Sequence, residues 1–452
     1  MTNLPGLDQS TDKSSGNGGS NGKNLGKLEK LAWGAGAATG IASRVTSKLW
    51  PVRRDSFESY VRNEIKNPYV ANILSAIARN QDLYKDNAPI TVDESIEILR
   101  RDKLAGAIHL LNYIYFVKYC GGGGLKGLLS VPEQYLFHEY GIQPKRYTGE
   151  SIAAVVEAES SVRGLEDSYG IGTSPQHFEQ LAWRLARTLD ISAGPGYIPK
   201  SLIAAFNLAK GMVRVTLLEA FESQKSLRNI LDEEFKGLEM GKFSGLDIIA
   251  SDMLTGERMI ISSDNTYRDM PIAEALTMST AFPMLYDLVR GNGGLRADGG
   301  LHAPPLRLAL ENGADLIYAT VLNRVIEKKS SGKHYFGPWG TVDLAGRIYE
   351  IMHRDAIVET FFHLTGKNPD WLASDDGMDP NGMILLSAPD LSNYHSFRLK
   401  PEHQKLDEIG RKATLSTFDK LNPTRASEEY VPDLFLRRAQ TQRKIGVYVP
   451  QT

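Results

Sequence analysis

The feature that most constrains the fold is an alternation of strand-like and helical segments that begins near residue 111. The apolar run "IYFVKYC" comes first, and the helical stretch "LKGLLSVPEQYLFHEYG" follows it. The short run "KRYTG" and the helical "SIAAVVEAESSV" repeat the same order. Because parallel strands need a crossover between them, usually a helix, this order predicts an α/β fold. We expect a mostly parallel central sheet with helices on both faces.

Segments on either side of this alternation complete the predicted secondary structure. The run from Leu246 to Ser263, "LDIIASDMLTGERMIISS", predicts two strands around a Thr-Gly turn. A further strand, "LIYATVL", follows the helical "PPLRLALENGAD". Residues 56–111 have helical periodicity, and the capping-box pattern from Thr91 to Glu94 marks a helix start. The sequence therefore also predicts an N-terminal helical region.

The amino-terminal part of the chain differs from the rest in composition. Residues 1–26 are mostly Ser, Gly, Asn and Lys, as in a disordered leader. The next segment mixes small apolar residues with cations, so the first 54 residues hold eight cationic and three acidic side chains. This arm is expected either to approach an anionic membrane or to be a solvated linker with a short helix. The predicted organisation is a leader (1–26), a basic arm (27–54), the helical region (55–110), an α/β domain (111–425) with a helical insertion or cap (160–233), and a C-terminal tail (426–452).

Composition also limits the compartment in which the protein is expected. With 452 residues, 42% apolar residues and a net charge of −2, the chain is expected to be soluble and to bury one large core or two ordinary ones. Its single cysteine, Cys120, excludes an internal disulfide and is predicted to be a small buried strand residue. No stretch approaches the roughly 20 apolar residues of a membrane span, and the amino terminus lacks the pattern of a secretion signal. We expect a cytoplasmic or peripheral membrane protein; the composition also suits a bacterial protein injected into another cell.

Four consecutive glycines, Gly121 to Gly124, stand between the first predicted strand and a helix. Their backbone N–H groups are expected beside the positive end of a helix dipole, which favours negative charge. A phosphate-binding loop would need Ser or Thr after its lysine, but Lys126 is followed by Gly127. The acidic residue that a dinucleotide site needs about 20 residues further on is also missing. The remaining interpretations are an oxyanion hole and a flexible turn.

A candidate nucleophile, Ser151, occurs in "YTGESIAAVVEA", between a short strand and a helix of small residues. This context is typical of a nucleophile elbow, whose usual pattern is Gly-x-Ser-x-Gly. Gly149 fits that pattern and Ala153 departs from it. Glu150 is an unusual neighbour, since a carboxylate repels an anionic lipid. The alternative interpretation is that Ser151 only caps the helix.

A candidate base, Asp298, occurs in "GGLRADGGLHAPPL" and is followed by Gly299 and Gly300. A carboxylate in contact with a serine hydroxyl can accept its proton without a histidine. A glycine-flanked aspartate is also a common turn former. His302, four residues further on, leaves a triad as an alternative. The other eight histidines show no metal-ligand spacing, so no metal site is expected.

Together these stretches resemble the patatin-like phospholipase family, in the order that the family uses. Its Gly-Gly-Gly-x-Arg/Lys-Gly loop is matched by "GGGLKG", its serine elbow by "GESIA" and its Asp-Gly-Gly/Ala motif by "DGG". Weaker similarity extends over about residues 111–420. The resemblance implies a patatin-like three-layer fold and a lipid acyl hydrolase of phospholipase A or lysophospholipase type.

The resemblance also implies a role for each matching residue. Ser151 would be the nucleophile and Asp298 its base in a Ser-Asp dyad, and the reaction would pass through an acyl-enzyme without metal or cofactor. The remaining expected site residues are the oxyanion donors Gly122, Gly123 and Gly124 and the supporting residues Lys126, Gly127, Gly149, Gly299 and Gly300.

The expected partner is a phospholipid membrane that holds the substrate. No nucleic-acid partner is expected, and a protein activator is left open. The residues leave two alternative functions open. One is a noncatalytic membrane- or partner-binding protein on the same scaffold, because a fold does not guarantee an activity. The other is an esterase or thioesterase that acts on soluble acyl substrates.

Overall fold

The computed structural model describes the parts of the chain that build the central sheet and the helices packed on it. The predicted leader, the basic arm, most of the 160–233 insertion and the tail beyond residue 426 lie outside the described residues. The described residues are 65–84, 88–163, 184, 225–283, 286, 288–291, 294–302, 304–322, 356, 358–360, 377–379, 381–389, 391 and 405–426.

Eight strands form one sheet within the described residues. Five of them run parallel to one another in the order β3-β2-β1-β7-β8, while β4, β5 and β6 add antiparallel pairs at the β3 end. The predicted α/β fold with a mostly parallel central sheet is therefore confirmed. The strands are β1 (Phe116–Cys120), β2 (Arg146–Glu150), β3 (Leu246–Asp252), β4 (Arg258–Ser262), β5 (Val289–Gly291), β6 (Gly294–Asp298), β7 (Leu316–Thr320) and β8 (Ile384–Ser387).

Helices cover both faces of the sheet, as the sequence predicts. Because side chains alternate along a strand, Phe116 of β1 packs with α4 and α9 on one face, and Val117 packs with α8 on the other. Cys120 ends β1 and is fully buried, as expected. The helices are α1 (Pro68–Tyr84), α2 (Val92–Arg101), α3 (Lys103–Leu110), α4 (Ser130–Glu139), α5 (Ile152–Arg163), α6 (Lys225–Glu234), α7 (Ile272–Ser279), α8 (Leu306–Glu311) and α9 (Leu406–Asp419).

The N-terminal helices share a hydrophobic core with the sheet. The predicted capping box is present at α2, where the Thr91 side chain accepts from the Glu94 N–H and the Glu94 carboxylate accepts from the Thr91 N–H. In α1, Tyr69 donates from its hydroxyl to the Ile384 carbonyl of β8, at 3.1 Å. The Asn72 amide donates to the Asp315 carbonyl just before β7, at 2.6 Å. The helical region is thus built onto the β7–β8 side of the sheet.

The two edges of β3 explain how distant segments meet. Strand β4 pairs with β3 along Asp247–Ser251 on one edge. Strands β2 and β6 must therefore share the other edge, β2 beside Leu246–Ile249 and β6 beside Ala250–Asp252. The end of parallel β2 consequently meets the end of antiparallel β6. Glu150 lies opposite Ile249, and Asp298 lies opposite the next residue, Ala250.

Candidate active site

Ser151 occupies the turn between β2 and α5, where the backbone makes the sharp bend of a nucleophile elbow. Its φ of 56° lies in the left-handed region, and it has the only positive φ among the described non-glycine residues. A non-glycine residue in this conformation is strained by roughly 1 to 3 kcal/mol and needs support from its surroundings. The Ser151 N–H donates to the Ser279 Oγ at 3.0 Å, which supplies part of that support.

Small residues around the elbow let the strand, the helix and the glycine loop approach closely. A Cβ on Gly149 would lie 2.5 Å from the Cα of Ala154 in α5, so only glycine fits there. A Cβ on Gly127 would collide with the Ile152 side chain at the start of α5. Both glycines, predicted as supporting residues, therefore pack directly against the helix that follows Ser151. Ala153, the departure from the usual pattern, is fully buried beside them.

Ser151 and Asp298 are in direct contact, although 147 residues separate them in sequence. The Ser151 Oγ donates to the Asp298 Oδ2 at 2.6 Å. The other carboxylate oxygen, Oδ1, accepts from the Gly300 N–H at 2.8 Å, so Asp298 also forms the turn that its glycines indicate. A Cβ on Gly299 would collide with the Ile249 carbonyl, which keeps this turn close to β3. The Ser151 hydroxyl thus bonds to a carboxylate instead of capping its own helix.

The surroundings of Asp298 raise the pKa of its carboxyl to about 7. Burial is the main cause, because Asp298 is 1% exposed and a charge is poorly solvated there. Hydrogen bonds from Ser151 and Gly300 lower the pKa, and the nearby Glu150 carboxylate raises it. A carboxylate of this basicity is matched to accepting a serine proton near neutral pH.

The segment that ends α7 holds Ser151 and Asp298 through their backbone N–H groups. This role was not predicted from the sequence. Ser279 Oγ accepts from the Ser151 N–H and donates to the Ile249 carbonyl at 2.6 Å. Two residues later, the Ala281 carbonyl accepts from the Asp298 N–H at 2.9 Å. The signal in the sequence was the small-residue stretch "MSTAF". The partner of the Ser279 hydroxyl could not be predicted without knowing how β3 pairs with β2 and β6.

The glycine loop follows β1 and borders the elbow. The Gly121 N–H donates to the Thr320 carbonyl of β7, and the Gly122 N–H donates to the Glu150 carboxylate at 3.3 Å. Gly124 has a φ of 57°, which suits glycine at the start of the short turn before α4. Within the described part of the chain, the N–H groups of Gly123 and Gly124 have no hydrogen-bond acceptor.

Two further candidates lie apart from the Ser151–Asp298 contact. The pKa of His302 is lowered by burial and by the Arg258 charge. Among the described hydrogen bonds, none joins His302 to Ser151 or to the Asp298 carboxylate. Lys126 is buried behind the glycine loop, and its backbone N–H donates to the Gly123 carbonyl at 3.2 Å.

Two other kinds of feature are absent from the described part of the chain. No three His, Cys, Asp or Glu side chains there are grouped so that they could hold a metal ion. None of the described helices combines the length and the apolar composition needed to cross a membrane.

Comparison with known proteins gives a matching family model and a set of similar solved structures. The family model described as "Patatin-like phospholipase" matches residues 120–310, from the end of β1 through most of α8. The crystal structure of VipD from Legionella pneumophila is similar to 74% of this chain and 75% of its own chain, with 13% sequence identity and a TM-score of 0.34. No curated protein sequence matches the chain.

Proposed function

We propose that this chain, whose residues 120–310 match the model of the patatin-like phospholipases, a family of lipid acyl hydrolases, cleaves fatty acyl esters of membrane phospholipids. The proposed activity is of phospholipase A or lysophospholipase type. The observation that carries the proposal is the 2.6 Å hydrogen bond from the Ser151 Oγ to the Asp298 Oδ2 at a strained elbow. A buried hydroxyl–carboxylate contact of this kind is what a Ser-Asp dyad requires.

The proposed reaction has two acyl-transfer steps. Asp298 takes the proton of the Ser151 hydroxyl while the Oγ attacks the ester carbonyl. The carbonyl oxygen becomes an oxyanion, and N–H groups of the glycine loop donate to it. As the intermediate collapses, the lipid alcohol leaves with the proton from Asp298 and the acyl chain stays on Ser151. Water then attacks the acyl-enzyme with Asp298 again as base, which releases the fatty acid and restores Ser151.

The proposed site of action is the surface of a membrane that presents the phospholipid, reached from the cytoplasmic side. A phospholipid substrate accounts for a base buried beside the nucleophile, because an acyl chain can displace water from the site. The rival functions are a noncatalytic scaffold protein and an esterase for soluble acyl compounds. Hydrolysis of vesicles and of a soluble ester by site variants separates all three.

The deciding experiment measures released fatty acid from phosphatidylcholine vesicles and from a soluble short-chain ester. We expect wild type to hydrolyse the vesicles faster than the soluble ester. Ser151→Ala should fall to background, and Asp298→Ala should lose about 10² to 10⁴-fold because its base is gone. His302→Ala is the control, since a dyad predicts activity within a few-fold of wild type.

Each other outcome points to one rival. Release from the soluble ester alone would identify a soluble esterase. Equal background release from all four proteins, with no labelling of Ser151 by a fluorophosphonate, would identify a noncatalytic protein. A His302→Ala variant as damaged as Asp298→Ala would replace the dyad with a triad.

A further inference from the structure

We propose that Glu150 is a positioning residue of this site: its carboxylate holds the first donor of the glycine loop and acts electrostatically on Asp298. The proposal deepens the proposed function and rests on it for the roles of Ser151, Asp298 and the loop. It concerns a residue at which the usual elbow pattern leaves the side chain unspecified.

The position of Glu150 follows from the strand register. It is the last residue of β2, directly before Ser151, and lies opposite Ile249. Asp298 lies opposite the next residue of β3, Ala250. Glu150 is therefore one residue from the serine whose Oγ contacts the Asp298 carboxylate, and it is fully buried there.

The Glu150 carboxylate has a defined partner in the glycine loop. Its Oε2 accepts from the Gly122 N–H at 3.3 Å. Gly122 is thereby fixed in place, while the N–H groups of Gly123 and Gly124 have no acceptor among the described residues. The N–H groups of Gly123 and Gly124 would therefore bind the oxyanion, whereas the N–H group of Gly122 anchors the loop.

The charge of Glu150 acts on Asp298 as well. Its carboxylate raises the pKa of Asp298, in the same direction as burial and against the hydrogen bonds from Ser151 and Gly300. A stronger base takes the serine proton more readily, but it is protonated over a wider range of acidic pH. Other titratable or charged groups on the surrounding elements include His302 after β6, Arg258 in β4, Lys126 in the short turn before α4, and the ion pair of Arg296 in β6 with Asp252 in β3.

Two substitutions separate the charge from the hydrogen bond. Glu150→Gln keeps a carbonyl acceptor of the same length for Gly122 and removes the charge, whereas Glu150→Ala removes both. We expect the titration midpoint of Asp298 to move to lower pH by roughly 0.5 unit in both variants. We expect kcat on vesicles to fall about 10-fold further in Glu150→Ala than in Glu150→Gln, with KM little changed, because the loop loses its anchor.

The midpoint is measured directly, by ¹³C NMR of the aspartate carboxyl carbons with Asp298→Asn as the assignment variant. Glu133→Gln is the matched control, since Glu133 is an equally buried carboxylate that accepts from the Thr320 hydroxyl and does not act on Asp298. It should leave the midpoint where it is in wild type. A parallel pH profile of kcat/KM should move its acid limb with the NMR midpoint.

An unchanged Asp298 midpoint in Glu150→Gln, or an equal shift in Glu133→Gln, would overturn the proposal. Equal kcat in the two Glu150 variants would overturn the anchoring role. Because the NMR titration needs no turnover, it decides the charge effect even in a protein without hydrolase activity. Failure of the proposed function is seen separately, as loss of Ser151-dependent fatty acid release.

Discussion

At the scale of single residues, the raised pKa of Asp298 affects both its reactivity as a base and the stability of the fold. An unfolded chain releases the aspartate proton near the ordinary value of 3.8, but the folded protein holds it up to about pH 7. The folded state therefore binds more protons between these values, so its stability falls as pH rises through this window and stays lower above it. One pKa unit corresponds to about 1.4 kcal/mol, which places the loss on the order of 4 kcal/mol.

We predict that Asp298→Asn is more stable than wild type at alkaline pH, although its activity is lost. Urea unfolding should show a gain of up to about 4 kcal/mol at pH 8.5, shrinking as pH falls towards 5, because the amide cannot ionise. Asp252→Asn is the control with the opposite sign, since the pKa of Asp252 is lowered by the Leu254 N–H among other partners. A gain for Asp298→Asn that does not change with pH would contradict the buried, basic carboxyl.

At the scale of elements, the end of α7 supports the strained elbow through one hydroxyl. We predict that Ser279→Ala lowers kcat/KM about 10-fold or more, because the Ser151 N–H and the Ile249 carbonyl both lose a buried partner. Thr280→Ala removes the next hydroxyl of the chain, which among the described residues donates to the Leu276 and Thr277 carbonyls of α7. It should lower stability by about 1 kcal/mol and leave kcat/KM unchanged. Equal activity in the two variants would contradict a role for Ser279 in holding the elbow.

Local pattern was enough to predict most elements of this fold. The run "LDIIASDMLTGERMIISS" predicted the β3–β4 hairpin, and "KRYTGESIAAVVEA" predicted β2, the elbow and α5. These predictions were possible because the spacing of apolar residues that distinguishes strands from helices involves only neighbouring residues. The pairing of β6 with the end of β3 could not be predicted in the same way. It joins segments about 45 residues apart through backbone hydrogen bonds, which leave no pattern in the side chains.

The candidate site also combines residues that the sequence predicts with contacts that it does not predict. Ser151, Asp298 and the glycines could be placed from motifs, since each occupies a turn that needs its residue type. The contacts of Glu150 with Gly122 and of Ser279 with Ser151 depend on the shared edge of β3. Their residue types alone indicate no partner, so a single sequence does not reveal them.

At the scale of the whole molecule, a buried ionic network joins the sheet to two helices. Lys118 of β1 is fully buried, and its Nζ lies 2.5 Å from Glu157 of α5 and 3.5 Å from Glu133 of α4. Burial by itself lowers the pKa of Lys118, but the two carboxylates outweigh it and raise the pKa. Burial raises the pKa of both glutamates. The network also includes Ser130 and Gln134 of α4, Thr320 of β7 and Ser387 of β8.

We predict that Lys118→Met destabilises the fold by about 3 to 5 kcal/mol at pH 8, because it leaves buried carboxylates without their cation. Without Lys118 the pKa values of Glu133 and Glu157 rise further above those of the unfolded chain, so the loss should shrink as pH falls towards 5. Urea unfolding at both pH values measures this. Arg101→Met is the control, since Arg101 pairs with Glu97 on the surface of α2 and should change stability by less than about 0.5 kcal/mol.

A second variant separates the charge from the packing of the Lys118 side chain. Adding Glu157→Gln to Lys118→Met removes one uncompensated carboxylate and should recover part of the lost stability at pH 8. If the effects of the two substitutions on the free energy of unfolding simply add, the stability lost in Lys118→Met comes from altered packing and not from unpaired charge. Because Glu157 lies in α5, the helix that begins directly after Ser151, the charge account also predicts that the double variant regains hydrolase activity together with stability.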